Sequence, residues 1–123
     1  MSRAKIRRPA SLEERELIGW LLRHAATTPD VDPFLAQIPD LHVVGMCGCG
    51  CPSIDFQVGG QDAVASIIAD AEGNSPEGIA VGVMLWAREG RLSGLEVYDV
   101  EGDQQFRLPR PEMLKPNFGS GAV

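Results

Sequence analysis

The strongest constraint on the fold lies in residues 79–100. Ile79, Val81, Val83 and Leu85 alternate with Ala80, Met84 and Trp86. Successive strand side chains point to opposite faces, so this segment reads as a strand that is apolar on both sides. Such a strand is expected to sit centrally and to be covered on both faces. Glu89-Gly90 then supplies a short hairpin turn, and residues 92–100 return as a second strand with Leu95 and Val97 inward and Glu96 outward. An antiparallel sheet is therefore the frame for the rest of the chain.

The N-terminal third has a different period. Residues 1–10 read as a flexible basic arm. Ser11 opens a helix with a capping box, because its hydroxyl can accept from the third helical N–H while Glu14 reaches back to the cap N–H. Leu17, Ile18, Leu21, Leu22 and Ala25 recur at helical spacing, with Trp20 and His24 on a flank. Gly19 costs this helix about 1 kcal/mol relative to Ala, so packing must hold it. Thr27, Thr28 and Pro29 end it. Asp32-Pro33 restarts a short helix, with Asp32 as cap, and Pro39 closes it.

From residue 41 the period falls to two. Residues 41–46 and 53–58 read as strands, the second with Ile54, Phe56 and Val58 on one face and Ser53, Asp55 and Gln57 on the other. Gly59-Gly60 reads as a turn. Residues 62–72 fit helix and strand alike; the glycines on both sides favour strand. Pro109, Pro111 and Pro116 make the C-terminal stretch extended. The expected fold class is α+β: N-terminal helices packed on one face of an antiparallel four- to five-stranded meander sheet. Residues 11–118 form one domain, followed by a disordered tail at 119–123. A chain of 123 residues suits a single domain and can bury roughly two-thirds of its unfolded surface.

Charge narrows the partners. The net charge is −6, but the first ten residues hold four of the eleven basic side chains and no acid, which leaves seven against seventeen in the body. An acidic body repels phosphate backbones, so no nucleic acid is expected as partner. No apolar run is long enough to span a membrane, so no membrane partner is expected either. The N-terminus lacks the apolar stretch of a secretory signal. These readings place the chain in the cytoplasm, where thiols stay reduced.

All three cysteines fall in Cys47-Gly48-Cys49-Gly50-Cys51, closed by Pro52. In an extended strand thiols at i, i+2 and i+4 stand about 6.8 Å apart on one side. A single ion holds sulfur at about 2.3 Å, so a metal site requires the segment to curl, which Gly48 and Gly50 permit. Cys47, Cys49 and Cys51 then become candidate ligands for Zn or Cu(I), with His42 or Asp55 as a fourth. A redox role is the second option, one cysteine resolving the oxidised form of another. A cysteine nucleophile with His42 or His24 as base is the third. The plain alternative is a hairpin connection, since Cys is small and often buried and Gly supplies turn dihedrals. The carboxylates Glu96, Asp99, Glu101 and Asp103 match no calcium loop and read as a solvated acidic edge.

The opening helix at 12–22, the Cys47–Ser53 run and the Gly90–Tyr98 run together resemble a family of small uncharacterised bacterial proteins, a domain of unknown function. The resemblance implies a cytoplasmic bacterial protein with no assigned activity, so it lends no catalytic residues. The function expected is a small binding or interaction domain without evident catalysis. A homodimer through the sheet is the expected assembly, because the helices can cover only one face of residues 79–87. The alternative is the thiol site, metal-binding or redox. Catalytic residues are expected to be none.

Overall fold

The computed structural model describes residues 3–47, 51–57, 64–102 and 105–117. Helix α1, Leu12–His24, begins where the sequence places it. Ser11 Oγ accepts from Glu14 N at 3.1 Å and Glu14 Oε1 accepts from Ser11 N at 2.8 Å, completing the capping box. Arg8 then donates from both terminal nitrogens to the Glu14 carboxylate, each at 2.8 Å. Burial alone would raise the pKa of Glu14, but the Arg8 hydrogen bonds and the Ser11 N–H outweigh it and the net shift is downward.

In the short helix α2, Asp32–Leu35, the N-cap position falls to Val31 rather than to Asp32, and no side chain caps it. The Asp32 N–H is taken by Asp30 Oδ1, so Asp32 already lies inside the helix. Pro39 does not close this helix; it sits in the first turn of a separate 3₁₀ helix, Ile38–Asp40, where its missing N–H would have had no helical partner.

Among the described residues seven strands form one antiparallel sheet, rather than the expected four or five. They are β1 (Arg3–Pro9), β2 (His42–Cys47), β3 (Ile54–Asp55), β4 (Ser66–Asn74), β5 (Ala80–Arg88), β6 (Arg91–Asp99) and β7 (Leu114–Pro116), in the spatial order β1-β2-β3-β6-β5-β4-β7. The two additional strands are β1 and β7. Residues 3–9, read from sequence as a free arm, pair with β2 along its length and cover what would be a bare edge. Residues 114–116 pair with 71–73 and do the same at the far margin. The expected strand at 53–58 is reduced to β3, two residues long. Ser53 replaces a ladder pair: its buried hydroxyl accepts from Val97 N at 2.8 Å and donates to Val97 O at 3.0 Å. Residues 58–60 and 62–63 of the sequence reading lie outside the described residues, as does the tail at 119–123.

The β5–β6 hairpin is as expected. Glu89 and Gly90 both take positive φ, 54° and 78°, which is the two-residue turn whose twist matches the flanking strands. Two bulges then set which side chains face the core. Trp86 pairs with Gly94 and Ala87 with Leu92, so Ser93 is extra; Ile67 pairs with Trp86 and Ala69 with Leu85, so Ile68 is extra. After these shifts Val81, Val83, Leu85, Ala69, Ala71, Leu95 and Val97 are buried together with Leu17, Ile18, Leu21 and Leu22 of α1 in one core. Each of the larger side chains stabilises the fold by about 1.5–3 kcal/mol. The chain is sewn to β4 as it leaves α1: Asp70 N donates to Ala25 O and Thr27 N to Ile68 O.

Candidate interaction face

Among the described residues, the other side of the same sheet carries none of the helices. The coverage of β5 on both faces expected from its sequence is thus absent among the described residues: α1 joins the core through Val81, Val83 and Leu85, while Met84 and Trp86 stay only half-buried. The register places three rows across β6, β5 and β4, with strands about 4.8 Å apart. Gly94, Trp86 and Ile67 form one row, Glu96, Met84 and Asp70 the next, and Tyr98, Gly82 and Glu72 the third. Lys115 extends the third row and Asp55 extends the first.

Small residues shape this surface. A side chain at Gly82 would run into the Tyr98 ring, so glycine here lets the ring lie across β5. The ring remains 40% exposed, and Ile67 is 38% exposed. Trp86 Nε1 donates to Glu96 Oε1 at 3.3 Å, which turns the indole toward the middle row. The face thus offers two aromatic rings, a thioether and an aliphatic side chain interleaved with carboxylates.

The electrostatics are one-sided. Lys115 Nζ lies 3.6 Å from Glu72 Oε2. Asp70 and Glu96 have no ion pair among the described residues. Burial raises the pKa of Asp70, the Glu72 charge adds to the rise, and a hydrogen bond from Asn117 opposes it. Its Oδ1 is buried without a hydrogen-bond partner. Burial also raises the pKa of Tyr98, reinforced by Asp70, Glu96 and Glu72, so its hydroxyl remains a donor at neutral pH. Such a set suits a cation: carboxylates take guanidinium or ammonium hydrogen bonds, aromatic faces attract the charge, and methionine adapts to the stem.

The thiol candidates fall elsewhere. Cys47 ends β2, Cys49 lies outside the described residues, and Cys51 is half-buried against the core. His42 opens β2, five residues before Cys47, so their backbones are about 17 Å apart. One ion cannot join His42 to a cluster at Cys47, because the two side chains together reach far less than that span. Asp55, the other proposed ligand, pairs with Gly45 nearer the cysteine end. Among the described residues no three His, Cys, Asp or Glu side chains gather as a metal site would require. His24 stacks at a tilt on Trp20, ring centres 5.5 Å apart, away from the cysteines in sequence and element. Asp99 accepts from Glu101 N in a turn, which accounts for part of the acidic run, and Asp103 lies outside the described residues.

No family model, curated protein or solved structure matches the chain. No helix among the described residues is long and apolar enough to cross a membrane. Sequence reading put Met84 and Trp86 on the second face of the strand, expecting that face to be covered, and set Glu96 outward, but it missed Asp70 and Tyr98 as their neighbours. Gly82, the glycine in an otherwise apolar strand, was the available signal, since such a glycine often marks a close approach by another group.

Proposed function

We propose that this chain is a binding module that works through the open face of its sheet, without catalysis, and that its partner is a basic polypeptide segment. The observation that carries this reading is the row Glu96–Met84–Asp70. It holds two carboxylates with no cationic partner among the described residues, set between Trp86 and Tyr98. The acidic body strengthens the choice, because it raises the encounter rate with basic chains. A second copy fits less well, since face-to-face pairing sets like charges against one another.

Calorimetric titration with a short Arg-rich peptide tests the reading. Glu96→Gln should weaken binding by about three- to tenfold. Glu13→Gln, on exposed helix surface, should leave it unchanged. Equal losses in the two variants would mean general attraction to an acidic protein and would sink the proposal. A concentration-dependent dimer that Met84→Arg dissolves would assign the face to self-association instead. The thiol alternative rests on Cys47, Cys49 and Cys51 as a sequence pattern; near-stoichiometric metal in untagged protein would support it, and its absence together with unreactive thiols would retire it.

A further inference from the structure

A cleft of about 530 Å³ opens between the 3₁₀ turn, β2 and the β5–β6 turn, away from the face described above. That size lies in the range of about 300–1,000 Å³ usual for small-ligand sites. Val44, Phe56 and Leu92 give it an apolar lining, while Arg7, His42, Arg91 and Asp40 supply its charged and titratable groups.

Two glutamines stiffen its walls. Gln37 donates to Pro33 O at 3.1 Å and Gly90 O at 2.9 Å, and accepts from Leu92 N at 2.9 Å. Gln57 donates to the carbonyls of Arg91 and Leu92, both at 3.2 Å. Apart from Gln57 Oε1, which accepts from Arg88 Nη2, their amide groups are spent on backbone, and together they fix the β5–β6 turn, from which Arg91 projects. Arg7 falls where the β1–β2 register shifts between Lys5 and Arg8, the kind of irregularity that re-aims a side chain. His42 Nδ1 is 2.9 Å from Asp40 O; a carbonyl only accepts, so Nδ1 carries the proton and Nε2 is left for another partner.

Among the described side chains the unpaired arginines are Arg7, Arg15, Arg23 and Arg91, and of these only Arg7 and Arg91 line the cleft. Arg8, Arg107, Arg110 and Lys115 are each within 4.0 Å of a carboxylate. Arg7 and Arg91 make no side-chain hydrogen bond or ion pair among the described residues, although the body has a large excess of acid. Guanidinium groups favour planar oxyanions, which they grip through two parallel hydrogen bonds. Asp40 offsets one of the two positive charges, so the balance suits one anionic group rather than a polyanion.

We infer that this cleft binds a small molecule with a single carboxylate or phosphate group on an apolar body. Arg7 and Arg91 hold the anion, His42 Nε2 accepts from a hydroxyl or N–H where the ligand carries one, and Val44, Phe56 and Leu92 receive the body. The site is independent of the sheet face and stands or falls separately from it.

Protein-observed NMR titration with benzoate, phenyl phosphate and neutral benzamide tests the inference. Benzoate or phenyl phosphate should move the amides of Val44, Phe56 and Leu92 saturably, and benzamide should bind at least about tenfold more weakly. Arg91→Gln and Arg7→Gln should each weaken the anion by a similar factor, in proteins whose dispersed spectra show that they remain folded. Whichever of the two anions binds more tightly identifies the group preferred. Equal binding of benzamide, or arginine variants that bind as the parent does, would overturn it. Inorganic phosphate binding as tightly as phenyl phosphate would overturn the role of the apolar lining.

Discussion

The two sides of the sheet use the same strands for opposite ends. Along β5, Val81, Val83 and Leu85 are at most 1% exposed, while their neighbours Met84 and Trp86 are only half-buried. The inner side holds aliphatic groups, with a carboxylate only where Asp99 ends the row of Val81 at the last residue of β6. The outer side places Asp70, Glu72 and Glu96 among its aromatics. Stability is concentrated on one side, and the other is left free to meet something else. Charge among apolar groups does not help a fold hold together, but it does specify what can dock.

Substitution at adjacent positions of β5 gives the sharpest test of that division. Leu85→Ala should cost about 3 kcal/mol by leaving a cavity in the core. Met84→Ala, one residue away, should cost less than about 1 kcal/mol. Urea denaturation of the two variants measures both, and near-equal losses would mean that the outer side is buried in solution. A smaller effect is expected at Gly82. Adding a methyl group there displaces the Tyr98 ring and should cost about 1 kcal/mol. In a Tyr98→Ala background the same change should become neutral or stabilising, because the obstacle is gone and alanine restricts the unfolded chain. A double-mutant cycle by thermal denaturation reads this coupling.

The smallest effect concerns Asp70. Its folded pKa is raised, so the folded state binds the proton more tightly than the unfolded state does. Ionisation therefore costs stability at neutral pH, and the cost fades as pH falls through the folded value toward the unfolded one near 4. Asp70→Asn should raise Tm at pH 7 by about a degree or two, with the gain shrinking in acid. The same variant should weaken the Arg-rich peptide. A variant that gains stability while losing the partner would mark Asp70 as a group retained for binding rather than for folding.

Much of the frame was legible because it rests on local chemistry. The Ser11–Glu14 box fixed the start of α1, and Glu89-Gly90 fixed the hairpin. What could not be read depends on contacts distant in sequence. Ser93 and Ile68 each insert one residue, and a one-residue slip moves every later side chain to the other face. The basic stretch at 3–9 has a charged composition that suits solvent, yet the open margin of β2 recruits it as a strand. The outward position of Asp70 follows from the bulge at Ile68, and the cleft that Arg7 and Arg91 both line draws on the first and sixth strands. No motif announces either arrangement. By contrast the cysteine segment, the most conspicuous local pattern, has its ligand candidate His42 at the wrong end of β2.

The order of the strands also bears on how this chain tolerates trimming. Its first and last strands in sequence occupy the two outermost places, and each ends in proline, Pro9 and Pro116, which offers no N–H to an incoming neighbour. Both selvedges of the fabric are thus finished by the ends of the described chain. Clipping residues 3–9 as a dispensable leader would unpick one of them, release Glu14 from Arg8, and leave β2 as a raw template for filament growth.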